Sequence, residues 1–121
     1  MKAKKIIYYI STVLISAMLI AGAANYIFNY AIAREEIIAF GFPAWIIYPL
    51  AVAKTLGAVM LWIRRAECAW LKEWAYAGIV FNLLLATGAH LSIADGQQFF
   101  PLVALFLTIV SRISLPKTEI E

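Results

Sequence analysis

The sequence contains few charged residues, and this shortage excludes most soluble folds. Only 14% of the 121 residues are charged, whereas 64% are hydrophobic, well above the roughly 45–50% that is usual in soluble domains. The ten basic residues lie in short clusters between apolar runs and form no nucleic-acid-binding motif. We therefore expect a membrane protein, and the net charge of +3 does not indicate a nucleic-acid partner.

Cysteine and histidine each occur once, which excludes most thiol and metal chemistry. Cys68 cannot form a disulfide or a CxxC redox pair within the chain. His90 with Asp95 supplies too few ligands for zinc or iron, and no second histidine is available as an axial haem ligand. No glycine-rich phosphate loop or nucleophile elbow is present. We predict no metal site and identify no catalytic residue or evident cofactor, which leaves open whether the protein is an enzyme.

Four apolar runs separated by short connections make up most of the chain. The predicted helices span residues 6–29, 43–63, 70–91 and 99–115. Each is close to the roughly 20 residues that cross a bilayer, and the first is longer than the apolar core of a signal peptide. Because no linker or internal repeat divides the chain, we expect a single domain, residues 1–121. The predicted fold class is all-α, an integral membrane four-helix antiparallel bundle.

Basic residues are distributed unevenly between the two sides of this bundle. One side holds Lys2, Lys4, Lys5, Arg64, Arg65, Lys72, Arg112 and Lys117. The other side holds only Arg34, in a predicted loop at residues 30–42 that also contains Glu35 and Glu36. The positive-inside rule then places both termini in the cytoplasm, and we expect the membrane to be a bacterial inner membrane.

Arg112 and Glu73 lie at the predicted cytoplasmic ends of helices. We expect Arg112 to extend to the lipid headgroups. Glu73 is predicted to cap its helix or to pair with Arg64, Arg65 or Lys72.

Lys54 lies near the middle of the second predicted helix. It is ten residues, or ~15 Å, from Arg64, which is close to the mid-depth of a hydrocarbon core of about 30 Å. A cation there costs about 2.5–3.5 kcal/mol on insertion scales, so we expect Lys54 to face other helices. Asn82 is ten residues from Lys72, at the same depth, and is predicted to lie beside Lys54. Lys54 is either a proton, anion or ligand contact, or a structural hydrogen-bond donor to Asn82 or a backbone carbonyl.

Stripes of small and polar residues predict where the helices pack together. On the first helix the stripe comprises Ser11, Ile15, Met18, Gly22, Asn25 and Asn29. On the third helix it comprises Trp74, Gly78, Asn82, Ala86 and His90. Leu14, Leu19 and Phe28 are expected to face lipid.

A second polar layer is predicted near the non-cytoplasmic surface. Residue counting brings Asn25 and His90 to similar depths, with Asn29, Tyr48, Asp95 and Glu35 or Glu36 nearby. We predict that Asn25, His90 and Tyr48 line a small cavity, where His90 with Asp95 forms an acid–base pair or holds a quinone head group. The alternative is that these are solvated interfacial residues and helix caps.

Several motifs resemble the DoxX-like family of small four-helix membrane proteins over residues 10–112. They are Tyr48-Pro49-Leu50, Ala53-Lys54, Leu56-Gly57, the run LKEWAYAG at residues 71–78, and Ala89-His90. The resemblance implies the four-helix membrane fold and a link to thiosulfate:quinone oxidoreduction, from which the family takes its name. Related four-helix folds include thiol-quinone enzymes, but this chain lacks their cysteine pairs.

Two functions follow from these observations. The first is a non-catalytic membrane subunit, or a protein that assists or anchors a partner, with a small cavity for an apolar ligand. The alternative is a quinone-binding membrane subunit of a thiosulfate:quinone-type oxidoreductase that uses Lys54, Asn82 and His90. In both cases the expected partners are the lipid bilayer and a membrane protein or a second copy of the chain, and quinone is the only cofactor suggested.

Overall fold

The computed structural model describes residues 2–116, and within this range it contains five α-helices and no strand. The helices are α1 (Lys2–Phe28), α2 (Tyr30–Ala39), α3 (Ile47–Met60), α4 (Ala69–Ile93) and α5 (Phe99–Ile113). Short 3₁₀ turns at Ala44–Ile46 and Ala66–Cys68 precede α3 and α4. The all-α part of the predicted fold class is thereby confirmed. Lys117, which was counted with the cytoplasmic basic residues, lies outside the described range.

Proline residues and residues with a left-handed backbone conformation define several of the helix ends. Pro101 is the third residue of α5, where a missing amide proton breaks no intrahelical bond. Gly41 follows α2 with a φ of +93°, a conformation that favours glycine. Ala94 ends α4 in the left-handed conformation and donates its amide proton to the Leu91 carbonyl at 3.2 Å, as is common at helix C-termini.

The prediction of a loop at residues 30–42 is wrong, because most of this segment forms the helix α2. Ala33 and Ile37 lie one turn apart and are buried, whereas Arg34, Glu35 and Glu36 are exposed. This is the pattern of an amphipathic surface helix, and the three charged residues are good helix formers. The prediction failed because charge was taken as a sign of a loop.

Helix α1 is the central element of the packing. It packs against α3 on one side and α5 on another, and α4 packs against α5. The core includes Tyr8, Ile15, Leu61 and Leu83. Leu19 also belongs to it, with 3% of its surface exposed, so the expectation that Leu19 faces lipid is wrong.

Helices α3 and α4 pack less closely against each other than α3 packs against α1 or α4 packs against α5. Their separation leaves an open cleft between them, with α1 behind it.

Two helical stretches, Lys2–Phe28 and Ala66–Ile93, are long and apolar enough to cross a membrane. Ala44–Met60 and Phe99–Ile113 are apolar but shorter; α5 extends ~22 Å at 1.5 Å per residue. Many large apolar side chains are exposed, among them Trp45, Trp74, Phe81, Phe99 and Phe106. So many exposed apolar side chains indicate a lipid environment or a partner.

Candidate functional site

A large open cleft lies between α3 and α4, beside two of the predicted site residues. Its volume is about 630 Å³, within the range of small-molecule sites. Leu19 of α1 forms part of its lining, and most of the remainder is aliphatic or aromatic. Only Lys54 contributes a charge and only Asn82 contributes an amide. Two of the predicted site residues, Lys54 and Asn82, therefore line the same cleft.

The Lys54 side chain reaches past the cleft to α1. A methyl group placed on Gly22 would lie 3.6 Å from Cδ and 3.8 Å from Nζ of Lys54, so the lysine stem runs alongside this glycine. The Nζ atom lies 5.6 Å from the centre of the Tyr26 ring, a cation–π distance. No carboxylate among residues 2–116 lies within ion-pair distance of Lys54. The ring stabilises the ammonium group without neutralising its charge.

The room for the Lys54 stem does not come from its own helix. An added Cβ on Gly57, one turn away on α3, would lie 3.5 Å from the nearest atom of Ile79, so this glycine faces α4. The room comes from Gly22 on α1. The signal was present, because Gly22 belongs to the small-residue stripe predicted on the first helix.

The stripe predicted as the buried face of α4 lies partly on the cleft instead. Trp74 is 71% exposed, and Trp74, Gly78 and Asn82 line the cleft. The buried face of α4 is formed by Lys72, Tyr76, Ile79, Leu83, Thr87 and Ala89. Small residues at four-residue spacing mark a groove here, rather than a helix contact.

The outer polar residues have three different sets of partners. Asn25 accepts a hydrogen bond from the Asn29 side chain at 3.1 Å. Tyr48 stacks on Tyr30 with ring centres 5.4 Å apart. Asn25, Tyr48 and His90 do not line the cleft, so of the predicted site residues only Lys54 and Asn82 share it.

His90 joins the end of α4 to the loop that follows it. Its Nδ1 atom lies 2.7 Å from Oδ2 of Asp95, and Oδ1 of Asp95 accepts the Gln97 amide proton at 2.9 Å. The Gln97 hydrogen bond and then the His90 contact lower the pKa of Asp95 below its ordinary value. The His90 ring also packs edge-to-face with the ring of Phe40, just after α2, with the ring centres 4.9 Å apart. This geometry fits both interpretations left open, an acid–base pair and a helix-end cap.

A cluster of hydroxyl groups that the sequence did not reveal joins α1, α4 and α5. Ser111 Oγ lies 2.6 Å from Thr12 Oγ1 and 2.7 Å from the Tyr76 hydroxyl. Tyr8 donates to the Leu61 carbonyl at 3.4 Å. All four side chains are almost fully buried. Scattered serine, threonine and tyrosine residues on three separate helices give no local pattern from which such a cluster can be predicted.

Three charged residues at this end of the molecule differ from expectation. Lys72 was counted among the basic residues of the cytoplasmic side, but only 1% of its surface is exposed. Arg112 was expected to extend to the headgroups, and Glu73 to cap a helix or pair elsewhere. Instead Arg112 forms a two-pronged ion pair with Glu73, at 2.7 Å from Nε to Oε1 and 3.0 Å from a terminal nitrogen to Oε2.

Comparisons with known proteins identify the family of this chain. The model of the DoxX-like family matches residues 10–111. No curated protein and no solved structure shows significant similarity to the chain. Since the match covers most of the sequence, the chain belongs to the DoxX-like family, and together with the two long apolar helices this indicates a small membrane protein.

Proposed function

We propose that this protein is a non-catalytic membrane subunit that binds a small apolar molecule in the cleft between α3 and α4. The observation that carries the proposal is the cleft itself, about 630 Å³ in volume, with apolar walls and two polar side chains, Lys54 and Asn82. An apolar cavity with a few convergent polar groups is the usual form of a small-molecule site.

The composition of the lining favours binding over catalysis. Lys54 is the only titratable group among the lining side chains, and general acid–base catalysis needs a positioned proton donor and acceptor. His90 is occupied by Asp95 and Phe40 outside the cleft. A molecule held between α3 and α4 would therefore meet one ammonium group and one amide.

The second candidate is a quinone-binding subunit of an oxidoreductase. Lys54 and Asn82 carry N–H groups that can donate hydrogen bonds to a quinone carbonyl. His90 does not line the same cleft, so in this version of the function the head group is held by Lys54 and Asn82 alone.

We further propose that the protein lies in a bacterial inner membrane with both termini in the cytoplasm. The uneven distribution of basic residues supports this orientation. The exposed apolar side chains of α3, α4 and α5 would face lipid, a membrane protein partner or a second copy of the chain.

The cleft offers a matched pair of substitutions for the test. Gly78 lines the cleft and Gly88 lies on the same helix outside it, and an added Cβ would meet no atom within 4 Å at either position. The full-length protein would be purified in mild detergent, and the molecules that remain bound would be extracted and quantified by mass spectrometry. Gly78→Leu should fill the cleft and lower the bound amount severalfold, whereas Gly88→Leu should leave it unchanged.

Each outcome bears on the proposal. A quinone present in stoichiometric amount and lost in Gly78→Leu supports the second candidate. If the wild-type protein carries only bulk lipid, or if both variants retain the same bound molecule, the cleft is not a ligand site and the proposal is wrong.

A further inference from the structure

We propose that the ligand of the cleft is a long-chain fatty acid in its carboxylate form, bound by its head group to Lys54 and Asn82. This inference rests on the proposed function, because it identifies the chemical class of the molecule that the α3–α4 cleft binds.

The charge of Lys54 is the first argument. Its nearest electrostatic partner among residues 2–116 is the Tyr26 ring, and no described carboxylate pairs with it. A single cation within an apolar segment is costly, and a neutral head group leaves that cost in place. A carboxylate neutralises the charge and forms charge-assisted hydrogen bonds, which are about twice as strong as neutral ones.

The second argument is that the two polar groups come from opposite walls. Lys54 projects from α3 and Asn82 from α4, and both line the cleft. An ammonium group has only donors, and an asparagine side chain has two N–H donors. A carboxylate has two acceptor oxygens with about four lone-pair positions, so one head group has enough acceptors for the donors of both side chains.

The third argument is the apolar extension of the cleft on one side of this pair. On α4 the lining continues from Asn82 down to Leu71, eleven residues or ~16 Å along the helix. On α3 it continues from Lys54 to Met60. These walls contain aliphatic, aromatic and glycine residues and no charged residue beyond Lys54. An extended acyl chain matches a long apolar groove that has its polar groups near one end.

The depth of the polar pair distinguishes a fatty acid from a phospholipid. Lys54 is seven residues, or ~10 Å, inside the first residue of α3. A phospholipid carries a larger head group that stays at the interface and two acyl chains. A single-chain carboxylate brings one small anion to this depth and requires only one groove.

The test compares four probes on the full-length protein in detergent: palmitate, hexadecanol with the same chain but a neutral head, decylubiquinone, and phosphatidylglycerol. Because charge-assisted hydrogen bonds are about twice as strong as neutral ones, palmitate should bind at least about tenfold more tightly than hexadecanol. Lys54→Met should remove this preference while hexadecanol binding changes by less than about threefold. Arg65→Gln also removes one positive charge, but in the exposed connection before α4, and should leave both affinities unchanged.

Asn82→Leu provides a second variant in case Lys54→Met disturbs the contact with α1. It keeps the cation and removes the amide, and should lower the palmitate-to-hexadecanol ratio severalfold. Circular dichroism and thermal melting would show that each variant remains folded.

The outcomes separate this inference from the proposed function. If hexadecanol or decylubiquinone binds the wild-type protein as tightly as palmitate, the cleft binds ligands but the carboxylate assignment is wrong. The assignment also fails if phosphatidylglycerol, and not palmitate, binds in a Lys54-dependent way. If no probe and no co-purified molecule binds, both the inference and the proposed function are wrong.

Discussion

Replacing Ser111 by alanine tests how much the buried hydroxyl cluster stabilises the fold. Ser111 is fully buried in α5 and lies at hydrogen-bond distance from Thr12 of α1 and Tyr76 of α4. Its side chain therefore connects all three helices. Ser111→Ala removes both contacts and leaves the hydroxyl groups of Thr12 and Tyr76 in a buried, largely apolar region.

The expected loss can be estimated from the geometry. Hydrogen bonds between membrane helices contribute about 0.6 kcal/mol on average and at most about 1.7, so two short ones correspond to roughly 1–3 kcal/mol. A buried hydroxyl left without a partner adds a desolvation cost of about 1–3 kcal/mol. Thr12 and Tyr76 are close enough to interact with each other, which offsets part of this. We expect Ser111→Ala to lower the free energy of unfolding by about 1–3 kcal/mol in total.

A double-mutant cycle with Tyr76→Phe isolates the shared interaction. Removing both partners of a hydrogen bond costs less than the sum of the single changes, so the double variant should be less destabilised than additivity predicts. Reversible unfolding in mixed micelles with increasing denaturing detergent would give the free energies. Ser92→Ala removes a local hydrogen bond of an exposed residue and serves as the control. A loss below about 0.5 kcal/mol for Ser111→Ala, or strict additivity of the pair, would refute the view that this cluster joins the helices energetically.

Three further outcomes are expected from thermal or detergent unfolding. Gly41→Ala should lower the free energy of unfolding by about 1–2 kcal/mol, since the φ of +93° at Gly41 disfavours a side chain. The control Gly88→Ala, in open space within α4, should be neutral or slightly stabilising. Equal effects at both sites would contradict this. Because hydrogen bonds lower the pKa of Asp95 in the folded protein, their contribution is present above the unfolded pKa of about 3.9 and is lost as pH falls through the lower, folded value. Asp95→Asn should flatten that acidic part of the stability profile, and an unchanged profile would contradict the assignment. Glu73→Gln should lower the free energy of unfolding by no more than about 1 kcal/mol, and by less at high salt, because the ion pair with Arg112 is half exposed. A larger loss that does not depend on salt would contradict this.

The sequence predicted the four apolar helices better than the segments that connect them. Long apolar runs gave the positions of α1, α3, α4 and α5, because a run of that length leaves few alternatives to a helix. Helix α2 was missed although its buried pair, Ala33 and Ile37, has helical spacing. Ten residues with three charges resemble a loop when only hydropathy is considered, whereas periodicity and helix propensity together predict an amphipathic helix.

The candidate site was predictable only in part. Counting residues from the helix ends gave Lys54 and Asn82 similar depths, and they line one cleft. Counting gives depth but not direction around the helix axis, so it did not reveal that the Lys54 tip lies over Tyr26 on α1. The same limitation explains the outer layer, where Asn25 and His90 were predicted at similar depths but bond to Asn29 and Asp95.

The polar groups of this protein occupy two different environments, and the difference argues for two different roles. At one end of the packing, the hydroxyl groups of Thr12, Tyr76 and Ser111 bond to one another and are closed off from the surface. In the cleft, Lys54 and Asn82 lie on walls that pack less closely and remain accessible. Groups satisfied within the protein stabilise the fold, whereas Lys54 and Asn82 face an open apolar cleft, where we propose that a ligand binds them. Substitutions in the hydroxyl cluster should therefore change stability first, and substitutions in the cleft should change binding first.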